Sequence, residues 1–100
     1  MEIKIEKIAK QIAKIKQELL EIGNMRPGNL NLQFKNPKEK TGGFYQLNYT
    51  HRSKTKTEYV RLGNTEKIKS ELEEYQKFKE LCDQWVALSI ESSKIRSKMP

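Results

Sequence analysis

The sequence predicts an α+β fold: an antiparallel helical hairpin, or coiled coil, of long N- and C-terminal helices with an inserted three-stranded antiparallel β-meander. Three observations predict it. Isoleucines recur at seam spacing in residues 1–23, apolar and polar residues alternate strictly in two middle stretches, and neither glycine nor proline occurs from Thr65 to Met99. One domain over residues 1–100 is expected, divided into helix 1 (1–23), a β-module (24–63) and helix 2 (64–98).

In the first segment Ile5, Ile8, Ile12, Ile15, Leu19 and Ile22 are spaced 3, 4, 3, 4 and 3 apart, the repeat of a helix that packs on another helix. Gly23 follows the last seam residue, where a left-handed cap is expected, and Pro27-Gly28 prevents continuation, so helix 1 should end near Ile22. Residues 30–35 (LNLQFK) alternate as a half-buried strand, as do Tyr45, Leu47 and Tyr49 against Gln46, Asn48 and Thr50. Residues 36–43 (NPKEKTGG) read as a loop, and residues 51–54 (HRSK) as a polar turn into a third strand over residues 55–62. The register of that second hairpin stays open, because Tyr49 can pair with either Thr55 or Lys56.

Asn64 is a suitable N-cap for helix 2, with Glu66 in the first turn. An apolar stripe through Ile68, Leu72, Tyr75, Phe78, Leu81 or Cys82, Trp85, Leu88 and Ile95 gives this helix a packing face as well. At 1.5 Å per residue the two helices span about 30 and 50 Å, so helix 2 should outrun helix 1 from about Trp85 onward. Trp85, Val86, Leu88, Ile90 and Ile95 then need cover, and a homodimer with Trp85, Leu88 and Ile95 at its interface is expected, with a break near residues 89–93 as the structural alternative.

Charge is the most informative part of the composition. The chain carries +7, yet residues 1–23 carry only +1 and residues 64–100 are neutral. Residues 24–63 hold eight basic side chains against Glu39 and Glu58, leaving +6 in the β-module. The candidates for nucleic-acid contact are Arg26, Lys35, Lys38, Lys40, Tyr45, Asn48, His51, Arg52, Lys54, Lys56 and Arg61. Lysine and arginine neutralise phosphates, amides reach base edges, and aromatic rings interleaved with them stack on bases. The plainer reading makes the tyrosines the sheet's packing face and the lysines a guard against edge-to-edge aggregation.

Other chemistries find little support. His51 has no carboxylate neighbour in sequence, Cys82 lies on or beside the seam, and Glu71, Glu73 and Glu74 read as a solvated helix face, so no catalytic residues are expected. One histidine and one cysteine far apart cannot build a Cys/His zinc site within one chain, and no cofactor is expected. The Gly23 to Gly28 stretch, GNMRPG, lacks the phosphate-loop pattern and suits a connector that needs its glycines. Helix 1 lysines flank an isoleucine seam that helix 2 can cover, which competes with docking on an anionic membrane. No apolar run is long enough for a membrane span, and the start MEIKIEKIAK places charges where a signal peptide needs an apolar stretch, so a cytoplasmic location is expected.

The order of helix, G-N-M-R-P-G, sheet, G-G-F-Y-Q-L-N-Y-T, T-E-Y-V-R and long helix resembles a family of small, mostly uncharacterised prokaryotic helix–β-meander–helix proteins, often found near mobile elements. Members of that family often carry a cysteine cluster in the interval that corresponds here to residues 34–42, which contains none. The hairpin also resembles the small sheet of tyrosine-recombinase arm-binding domains. That likeness implies DNA contact by the sheet face through Asn48, Arg52, Lys54, Lys56 and Arg61, without recombinase activity. The resulting expectation is a non-enzymatic nucleic-acid-binding accessory or regulatory factor of a mobile element or defence system, contacting phosphates through the basic β-module. Its competitor is a coiled-coil adaptor or inhibitor that captures a protein with the exposed end of helix 2.

Overall fold

A computed structural model describes residues 2–99. Its elements in chain order are α1 (Glu2–Leu20), β1 (Asn29–Asn36), β2 (Thr41–His51), β3 (Lys54–Val60), a short 3-10 turn (Leu62–Asn64) and α2 (Thr65–Ser97). The strands form one antiparallel sheet in the order β1-β2-β3. The α+β class and the meander expected from the alternation are both present.

The chain packs as two units, one made of α1 with the part of α2 beyond residue 76, the other of Gly23–Gln76. In the helical unit the isoleucine seam faces inward as its spacing requires. Ile8 and Ile15 are buried, while Ile5, Ile12, Leu19 and Ile22 are half-buried. The helices run antiparallel, because Lys4 Nζ lies 3.2 Å from the Glu91 carboxylate while Lys16 Nζ lies 5.1 Å from the centre of the Trp85 ring. Ser92 is buried opposite α1, and its hydroxyl accepts a hydrogen bond from the Arg96 guanidinium at 2.7 Å. That bond removes the cost of burying an unpaired hydroxyl.

The structure corrects two expectations about the helices. The stretch of α2 expected to outrun helix 1 is the stretch that α1 covers, so Trp85, Leu88 and Ile95 are half-buried inside one chain. The connector explains this: after α1 ends, the Gly23 N–H donates to the Glu74 carboxylate and the Arg26 N–H to the Glu71 carbonyl, so the β-module occupies the first turns of α2. The break considered near residues 89–93 is absent, since α2 is one helix of 33 residues. Asn64 ends the 3-10 turn, its backbone N–H donating to the Arg61 carbonyl at 2.9 Å.

In the β-module the loop is shorter than its breakers suggest. Thr41, Gly42 and Gly43 join β2, and only residues 37–40 turn. Gly42 and Lys40 supply positive φ values of 66° and 54° at this end, which lets the hairpin close between Asn36 and Thr41. The second hairpin closes between His51 and Lys54 through Arg52 and Ser53, whose φ values of 52° and 65° are those of a two-residue left-handed turn. That geometry matches strand twist and selects the Tyr49–Lys56 pairing over the alternative. The third strand stops at Val60, two residues before its expected end.

Gly28 sits where no other residue fits well: its φ is 134°, and a Cβ there would lie 2.8 Å from the Asn48 carbonyl oxygen. Replacing Gly28 with alanine should destabilise the protein by more than about 1 kcal/mol. Ser53→Gly relieves a left-handed backbone and should stabilise by up to about 1 kcal/mol. Urea unfolding midpoints of the two variants test both signs.

Candidate nucleic-acid interface

Side chains of directly paired residues lie on the same face of an antiparallel sheet, so the register sorts the β-module residue by residue. One face carries the rows Leu32–Tyr45–Val60 and Leu30–Leu47–Glu58, then the pairs Tyr49–Lys56 and His51–Lys54. Leu47 is fully buried and Val60 nearly so, which makes this the covered face. The other carries the rows Asn31–Gln46–Tyr59 and Asn29–Asn48–Thr57, the pair Gln33–Phe44, and the pair Thr50–Thr55. It is an open surface of amides, hydroxyls and two rings, with no formal charge among these residues.

The open face is internally braced. Thr57 Oγ1 donates to Asn48 Oδ1 at 2.7 Å, and the Thr50 and Thr55 hydroxyls lie 2.8 Å apart. Phe44 and Tyr59 meet with ring centres 6.1 Å apart and a 34° tilt, while Tyr59 remains 68% exposed. With Oδ1 engaged by Thr57, the Asn48 amide presents N–H donors to an incoming acceptor.

Cations gather at the two ends of the sheet. Lys35, opposite Gly42, joins Lys38 and Lys40 at the β1–β2 end, and Arg52, Lys54 and Lys56 gather with His51 at the β2–β3 end. A meander places successive turns at opposite ends of the sheet, so the charge is divided between the two ends, and all of these side chains are exposed. Lys54, Lys56 and His51 have the parity of the covered face but stand exposed beyond Tyr49. Arg61 is exposed just after β3.

Two members of the expected set lie off the open face. Tyr45 lies on the covered face between Leu32 and Val60, half-buried, so the plainer packing reading holds for it and for Tyr49. Arg26 is an internal clasp: its guanidinium lies 3.0 Å from the Glu58 carboxylate and 5.1 Å from the centre of the Tyr49 ring, and the Tyr49 hydroxyl donates to Glu58 at 3.2 Å. Because the clasp joins one positive to one negative group, the module keeps its +6 without it. Conversely, the β1 residues Asn29, Asn31 and Gln33 were absent from the expected set and stand on the open face. Their alternation with Leu30, Leu32 and Phe34 is visible in the sequence, but only the register shows that they share a face with Gln46 and Asn48.

Hydrogen bonding from the Arg26 guanidinium is the largest cause that holds the Glu58 carboxyl below its ordinary pKa; the charges of Arg26 and Lys56 and the Tyr49 hydroxyl add to it, and partial desolvation opposes it. A lowered folded-state pKa contributes stability above the ordinary carboxylate range, and that stability is lost as pH falls through the folded value. Wild-type protein should therefore lose more stability between pH 6 and acid than Glu58→Gln, with the difference modest because both groups are partly solvated. Parallel thermal melts across that range check the sign.

Among the described residues no helix is long and apolar enough to cross a membrane, and no three or more His, Cys, Asp or Glu side chains gather to hold a metal ion. Compared with protein-family models, with curated proteins and with solved structures, the chain matches none.

Proposed function

We propose that the protein binds nucleic acid across the open face of its β-sheet, as a non-enzymatic accessory factor. The observation that carries the reading is the division of labour on that sheet: an uncharged hydrogen-bonding surface lies between two cationic turns. Phosphates are then gripped at both ends by Lys35, Lys38 and Lys40 on one side and Arg52, Lys54 and Lys56 on the other. Bases meet the amides of Asn31, Gln46 and Asn48 and the rings of Phe44 and Tyr59. Cation–phosphate contacts supply affinity through counterion release, whereas the amides supply what discrimination there is.

This division separates the consequences of mutation. Lys54→Ala with Lys56→Ala should weaken binding to all sequences and flatten the slope of log affinity against log salt by roughly 1 to 2 for duplex DNA. Asn31→Ala with Gln46→Ala should leave that slope unchanged while erasing preference among sequences, at about 1–3 kcal/mol for each base that is no longer read. Titration of the purified chain with duplex DNA, single-stranded DNA and structured RNA at two salt concentrations measures both. No salt-sensitive binding to any of the three at low salt would falsify the proposal.

A further inference from the structure

The helical unit leaves one apolar face of α2 uncovered, and its charges identify what covers it. Val86 and Ile90 are 57% and 51% exposed and line a shallow groove of about 540 Å³ together with Cys82, Trp85, Ser93 and Lys94. Lys94, in that lining, and Asp83 are both exposed. They are eleven residues apart, close to three full helical turns, so they project from nearly the same angle about 16 Å apart along the axis.

We infer that this face pairs with the same face of a second copy of the chain, antiparallel and about a two-fold axis level with Leu88. In an antiparallel pair of helices, equivalent flanks face each other. Asp83 of one copy then meets the partner's Lys94, and the contact is made twice by symmetry. At the same register Val86 packs near the partner's Ile90. A parallel pair fails this test, since it sets each flank against the opposite flank of its neighbour and keeps Asp83 and Lys94 three turns apart. Of the residues expected from sequence to need cover, Trp85, Val86 and Ile90 lie on this groove, whereas Leu88 meets α1 residues within one chain. The inference does not rest on nucleic-acid binding, although a dimer would present two open sheet faces and raise avidity.

Sedimentation equilibrium of the full chain over a wide concentration range tests the pairing. The expected result is a reversible dimer whose dissociation constant rises more than about tenfold in Val86→Glu with Ile90→Glu, with helix content by circular dichroism unchanged. Charge reversal tests the register without touching the apolar contact. Asp83→Lys and Lys94→Asp should each weaken self-association by about two- to fivefold per pair, and an equimolar mixture of the two should form heterodimers in preference to either homodimer. A chain that stays monomeric at all concentrations overturns the proposal, as does a dimer indifferent to Val86→Glu with Ile90→Glu. A dimer without preference in the mixed charge-reversal experiment overturns the antiparallel arrangement.

Discussion

The register of β2 against its two neighbours is the constraint on which the β-module depends. With a side-chain period of two, a slip of one residue exchanges the faces, turning Leu47 to water and the amides of Gln46 and Asn48 toward the core. Either half of that exchange is expensive, because a fully buried leucine forfeits roughly 1.5–3 kcal/mol and buried amides need partners. The left-handed turn at Arg52–Ser53 sets the same register locally, so turn geometry and burial agree.

Register also explains how a module with +6 tolerates its own charge. Cations concentrated on one compact face would repel each other, whereas here they separate to the two ends of a three-stranded sheet. The one acidic group on β3, Glu58, is engaged internally by Arg26 and Tyr49, where it fastens the connector to the sheet. What lies between the charged ends is a neutral hydrogen-bonding surface already braced by Thr57 on Asn48 and by Phe44 on Tyr59. A pre-organised surface loses less conformational entropy on binding.

α2 serves both units without a break. Its first turns hold the connector through the Glu71 carbonyl and the Glu74 carboxylate, and its later turns bury the α1 seam.

The sequence by itself determined the element types, the isoleucine seam, the alternation of two strands and the confinement of positive charge to the middle of the chain, because each follows from local periodicity or composition. It also bounded the second hairpin to two registers. Tertiary structure decided which register is adopted, and with it that Asn29, Asn31 and Gln33 join Gln46 and Asn48 on one face while Tyr45 turns inward. It decided that Arg26 pairs with Glu58 and stands over Tyr49, partners distant along the chain. It decided as well which part of α2 meets α1. Helix length alone assumes that two helices of a hairpin begin level with each other, but the hydrogen bonds of the connector to Glu71 and Glu74 give the first turns of α2 to the sheet. Face, partner and offset are properties of residues far apart in sequence, and only the packed chain brings those residues together.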